Sequence, residues 1–224
     1  MTTIYTLLRD LPLERGTHKT NSGALSLMEA VAYVAGEPHT DHPECACPVI
    51  TEVAAYADFC YVPQVKIALA QRVLQIAGSK SSDDVQFDRL CLLADHTLHV
   101  VLPEELQKRS AALVARLRAL PKITRDNCVQ VLSAAGAEFD LPDKLMLDET
   151  VQRQLQRALD QVRLGQYGNA ARELVFLFME LDAVLGVVTL LDQLLAVGKT
   201  LPLEPTEEVR ARLGTLSQRP KPWR

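Results

Sequence analysis

The sequence predicts an all-α protein: a multi-helix bundle of about nine or ten helices, with an N-terminal bundle and a C-terminal helical unit. Three observations predict it. Aromatic residues are scarce, at 5%, while 48% of the chain is apolar, so the core rests on Leu, Val and Ala. That mix favours helices over sheets, which draw on β-branched and aromatic residues. Caps and prolines then divide the chain into segments of helical period. Finally, no segment alternates apolar and polar residues, and the nearest strand-like pairs, Val100-Val101 and Val187-Val188, lie inside stronger helical patterns.

The elements follow in order. Ser26 and Glu29 form a capping-box pattern before L-M-E-A-V-A-Y-V-A, Gly36 stands at the C-cap, and Leu27, Ala30, Val31 and Val34 share a face. Pro48 suits the first turn of a second helix with Val49, Ile50, Val53 and Ala57 inward. Pro63 opens a third, closing at Gly78. Ser81 or Ser82 caps a fourth, in which Leu90, Leu93, Ala94, Leu98 and Val101 repeat. Pro103, Glu104 and Glu105 start a fifth that Pro121 stops. Thr124 caps a short sixth ending near Gly136.

Residues 137–148 have no clean period and read as a linker or inter-subdomain loop between an N-terminal bundle (1–136) and a C-terminal unit (149–217). A helix runs from Asp148 through Leu164, and Asn169 caps the next one after G-Q-Y-G-N. The turn G-Q-Y-G-N-A-A occurs once, so it gives no repeat. Leu174 to Val197 is the longest apolar stretch, read as a buried helix or a pair broken at Gly186. Glu180, Asp182 and Asp192 interrupt it, which argues against a membrane anchor. Gly198 ends it. Thr206 caps a final helix before the basic tail 218–224, where Trp223 makes either a docking peptide or a loose end.

The net charge of −4 argues against non-specific nucleic-acid binding. The first sixty residues are acidic and Lys66 to Arg125 is modestly basic, with Lys108, Arg109, Arg116 and Arg118 along one expected helix. Met1 to Pro12 lacks the apolar run of a signal peptide. Five cysteines with only Cys45 and Cys47 close together suggest free thiols in a reducing cytoplasm.

The chemistry concentrates in G-E-P-H-T-D-H-P-E-C-A-C-P, from Gly36 to Pro48. His39, His42, Cys45 and Cys47 are the ligand types that zinc prefers, and Asp41 and Glu37 stand among them to handle protons. Four ligands within one short loop make a demanding geometry, so His96 and His99, three apart on a helix with Asp95 beside them, are the obvious partners for a shared site. Cys45 and Cys47 also admit a redox reading, with Cys47 at a helix start. Cys60, Cys91 and Cys128 read as core. Nucleophile-elbow, phosphate-loop, dinucleotide and H-E-x-x-H patterns are absent, so no catalytic residue is assigned.

The block L-M-E-A-V-A-Y-V-A-G-E-P-H-T-D-H-P-E-C-A-C-P-V-I resembles a segment of uncharacterised proteins from actinobacteria and their phages, over residues 22–51. The resemblance implies a bacterial or phage cytoplasmic protein and carries no catalytic residue. Three functional expectations stand together. The first is a non-enzymatic interaction or regulatory protein acting through helical surfaces as a homo-oligomer. The second is a metal-dependent hydrolase using His39, His42, His96 and His99. The third is a structural zinc clip made by the loop, with Cys45 and Cys47 as thiolates.

Overall fold

In a computed structural model of the chain, the described residues are 13–19, 24–59, 63–107, 109–139, 146–181, 186–199 and 201–217. They are helical throughout, apart from loops and one isolated parallel bridge between Leu13 and Leu25. The all-α expectation holds. Cys60, Lys108 and the tail with Trp223 lie outside the described residues.

The chain divides into two compact units, residues 1–81 with 198–224 and residues 82–197. The described residues 137–139 and 146–148 therefore fall within the second unit. Those between them, 140–145, are outside the described residues.

The first unit is built on α1 (Leu27–Ala35), α2 (Pro48–Phe59), α3 (Pro63–Ala70), α4 (Val73–Ala77) and α12 (Glu207–Ser217). The expected capping box opens α1, with Glu29 N–H donating to Ser26 Oγ at 3.2 Å and Ser26 N–H to Glu29 Oε2 at 2.7 Å. Gly36 closes it at φ 76°, a left-handed value that favours glycine. The burial is wider than the expected stripe. Met28, Glu29 and Ala32 are buried with Leu27, Ala30, Val31 and Val34, because α2, α4 and α12 all pack on α1. It is the central helix of its unit.

The third helix expected from Pro63 to Gly78 is two helices, broken at Gln71 and Arg72. Gly78 serves a different purpose from a left-handed cap, since its φ is −87°. A Cβ there would collide with the carbonyl oxygen of Leu201. The returning segment passes so close because Leu203 N–H donates to Leu74 O at 2.8 Å.

The second unit contains α5 (Asp83–His96), a π-helical turn (Thr97–Val101), α6 (Leu102–Leu106), α7 (Ala111–Ala119), α8 (Cys128–Glu138), α9 (Met146–Arg163), α10 (Tyr167–Glu180) and α11 (Val187–Ala196). Both α10 and α11 pack on α5, and α9 packs on α8 and α10. Leu90, Leu93, Ala94, Leu98 and Val101 are buried as their spacing predicts.

Several boundaries differ. Pro103 does not begin a separate helix. It falls in the first turn of α6, where a missing N–H is harmless, and the chain runs on from α5 through the π turn. The fifth helix instead restarts at Ser110, whose Oγ accepts Leu113 N–H, so Arg109 is not on the helix of Arg116 and Arg118. Asn127 rather than Thr124 precedes α8, with Asn127 Oδ1 accepting Thr124 N–H at 2.7 Å. That helix runs through Gly136 to Glu138. Asn169 sits inside α10, which starts at Tyr167. Gly186 does break the apolar stretch, and Thr206 Oγ1 does accept Val209 N–H at the start of α12.

The second unit also buries an arginine. Arg89 is 1% exposed, and its guanidinium donates to Leu194 O at 3.1 Å and Val197 O at 2.9 Å. It thereby satisfies carbonyls at the end of α11 that have no helical partner.

Candidate functional site

The His/Cys loop is organised by two carboxylates, Glu29 and Glu37. Glu37 accepts Glu44 N–H at 2.8 Å and Cys45 N–H at 2.7 Å, folding the loop back on the end of α1. Further along, Cys47 N–H donates to Ser79 Oγ at 2.9 Å and Lys80 N–H donates to Cys45 O at 3.0 Å. The Cys47 amide, buried beside Pro48, is thus paired.

Glu29 is the deeper hub, at 1% exposure. Its Oε1 accepts His18 N–H at 2.7 Å and lies 3.3 Å from His39 Nε2. Its Oε2 accepts Ser26 N–H at 2.7 Å and His18 Nδ1–H at 3.0 Å. His39 Nε2 also donates to His18 O at 2.6 Å. Burial opposes ionisation of Glu29. The His18 and Ser26 amides, the His18 ring and the charge of His39 outweigh it and hold the carboxyl below its usual value. His18 carries no periodicity or motif and was missed in the sequence. Only its place upstream of a capping-box glutamate could have suggested it.

The remaining expected ligands are placed as follows. His42 is exposed and its Nδ1 lies 2.8 Å from Asp41 Oδ1, a hydrogen bond that lowers the Asp41 carboxyl. Cys47 is fully buried. Burial and the neighbouring Glu37 carboxylate push the Cys45 thiol up to about 12, away from the thiolate a redox role uses.

His96 and His99 lie in the second unit. His99 stands in the π turn, with Nδ1 3.0 Å from Asp95 Oδ1 and Nε2 3.1 Å from Leu120 O. Both ring nitrogens therefore face protein oxygens. His96 lies near the Phe178 ring, at 6.3 Å between centroids, and burial lowers its pKa. The pair is therefore turned to different neighbours rather than converging as the i, i+3 spacing suggests. Among the described residues, no group of three or more His, Cys, Asp or Glu side chains is arranged to hold a metal ion.

The first unit has a cleft of about 240 Å³, lined in part by Arg15, Met28, Asp41, Glu52, Asp58 and Phe59. That is below the ~300 Å³ at which small-molecule sites generally begin. Arg15 stacks its guanidinium over the Phe59 ring at 3.2 Å. Asp58 is 5% exposed; one oxygen accepts Leu27 N–H at 3.1 Å, and the other has no partner among the described residues. Burial raises its pKa. V-I-T-E-V-A-A-Y-A-D-F holds two acids, Glu52 and Asp58, and nothing local shows that only Asp58 is buried.

Comparison with known protein families, with curated proteins and with solved structures finds no match to this chain. Among the described residues no helix is long and apolar enough to cross a membrane.

Proposed function

We propose that the chain is a non-enzymatic interaction or regulatory protein of bacterial or phage cytoplasm, acting through helical surfaces and pairing with a second copy of itself through α10. The observation that carries this reading is the two-faced burial of α10. Ala170, Ala171, Leu174, Val175, Leu177 and Phe178 are buried, while Phe176 and Met179 are 37% and 46% exposed on the outer side. Leu177 and Leu181, in the same apolar stretch, belong to the core at 0% and 8% exposure.

The outer face is self-complementary. Arg172, Phe176 and Glu180 recur every four residues, so two α10 helices packed antiparallel about Phe176 set Arg172 of each copy against Glu180 of the other. Phe176 and Met179 then meet at the centre of the patch, where buried apolar anchors contribute most. The hydrogen-bonded state of His39, His99, Glu29 and Glu37 supports the interaction reading over the metal-dependent hydrolase and the zinc clip.

Molar mass by light scattering across micromolar concentrations tests this. A dimer is expected, and Phe176→Glu with Met179→Glu should make it a monomer with an unchanged circular dichroism spectrum. Arg172→Glu should weaken the dimer, and adding Glu180→Arg should restore it. A wild-type monomer at every concentration, or a dimer indifferent to these changes, overturns the proposal.

A further inference from the structure

We propose that Cys91 and Cys128 form an oxidisable dithiol that a small hydroperoxide converts to an intramolecular disulfide joining α5 to the start of α8. The geometry comes from one stripe of α5. Asp84, Asp88, Cys91 and Asp95 follow one another at i, i+4, i+7 and i+11, a single helix face. The segment from Ile123 to Cys128 lies along it. Ile123 N–H donates to Asp95 Oδ1 at 2.8 Å, and Arg125 binds Asp84 Oδ1 at 2.9 Å and Asp88 Oδ2 at 2.7 Å. These contacts bracket Cys91, and Cys128, three residues beyond Arg125, comes close enough for the two thiols to interact.

Both thiols are free and buried, at 4% and 1% exposure. The charge of Arg125 acts on Cys91, and the Arg125 side chain is 43% exposed, so a partly solvated group stands near the buried pair. A reagent the size of hydrogen peroxide suits such a depth better than a bulky one.

The two sulfurs are not equivalent. Cys128 is the first residue of α8, where the positive helix end favours a thiolate. Cys91 lies inside α5 with no helix end beside it, and the neighbouring Cys128 thiol and burial raise its pKa. Cys128 is therefore the attacking sulfur. It gives its proton to water, and its electron pair forms an S–O bond as the peroxide O–O bond breaks; the departing hydroxide takes up a proton. The sulfur of Cys91 then attacks the sulfenic acid, the S–S bond forms, the S–O bond breaks, and the Cys91 proton leaves in a second water. Two thiols lose two electrons in all, and one peroxide becomes two waters.

The test is hydrogen peroxide treatment of the native full chain, followed by alkylation and tryptic mapping. Cleavage after Arg89, Lys108, Arg125 and Lys144 puts Cys91 on peptide 90–108 and Cys128 on peptide 126–144, while Cys45, Cys47 and Cys60 share peptide 20–66. The expected product links peptides 90–108 and 126–144, is lighter by two hydrogens and is reversed by dithiothreitol. C91S should instead accumulate a sulfenic acid on Cys128 that dimedone traps, and C128S should form neither product. Unreacted Cys91 and Cys128 in the folded protein, separate over-oxidation of the two, or linkage to peptide 20–66 overturns the proposal. Because the readout is mass in the wild-type chain, a variant that folds poorly does not spoil it.

Discussion

Glu29 illustrates how one side chain can do two kinds of work. As the fourth residue of a capping box it closes the start of α1, and that much is legible from S-L-M-E. As a buried anion it also gathers His18 and His39, which lie 11 residues before it and ten after. No local pattern announces those partners. Because its folded pKa is held below the ordinary value of about 4.5, the carboxylate stabilises the fold above that pH, and the contribution is lost as pH falls through the folded value. Asp58 acts in the opposite sense: its folded pKa is raised, so acidification relieves the cost of its burial. Glu29→Gln should therefore cost about 2 kcal/mol at neutral pH. It should also flatten the acid limb of stability between pH 5 and 3, as read from urea unfolding at several pH values. An unchanged acid limb would show that His18 and His39 do not depend on the charge.

At the scale of the element, the sequence spoke clearly where a local signal decides the outcome and misled where tertiary contacts do. The capping box, Gly36, Pro48 at the first turn and the Thr206 cap are all decided within four residues, and all appear. The break at Gln71 and Arg72 and the continuous passage from α5 through the π turn into α6 carry no cap or breaker of their own. Pro103 looked like a start because proline favours first turns. It occupies one, but the turn follows directly from a π-helical segment. Gly78 closes α4 as the sequence suggests, and it carries a second constraint that no local pattern shows. Its hydrogen faces the Leu201 carbonyl, so the constraint is steric contact with backbone more than a hundred residues away. Gly78→Ala should destabilise the protein by about 1–3 kcal/mol, the range for forced overpacking against atoms that cannot swing aside. A control at Gly136, where an added Cβ meets nothing, should be neutral or slightly stabilising, as replacing glycine within a helix usually is. Thermal unfolding of the two variants side by side checks this, and equal melting temperatures would remove the steric account of Gly78.

Across the whole molecule, the helical class was legible because composition and period are summed over the chain, whereas the grouping of helices was not. Residues 198–217 belong with 1–81, as the bond from Leu203 N–H to Leu74 O illustrates, and such a return leaves no trace in either segment. The His/Cys loop is the same lesson in chemistry. Residue types and spacing suggested ligands, but a ligand needs a lone pair directed at a shared point. His39 Nε2 is turned to His18 O and Glu29, His99 to Asp95 and Leu120 O, and Glu37 to two backbone amides. Giving these contacts to a metal would break several hydrogen bonds, at about 0.5–1.5 kcal/mol each. Elemental mass spectrometry of the purified, untagged protein should therefore find zinc, iron and manganese well below one per chain after reconstitution under reducing conditions. His39→Ala with His42→Ala should leave metal content unchanged and lower stability by about 1–2 kcal/mol through Glu29, with His42 contributing little at its exposed position. Near-stoichiometric metal that disappears in this variant would mean that the loop abandons its hydrogen bonds for an ion. The interaction reading would then give way to a metal-dependent one, and chelation would separate its two forms: loss of folding for a clip, retention of folding for a catalytic centre.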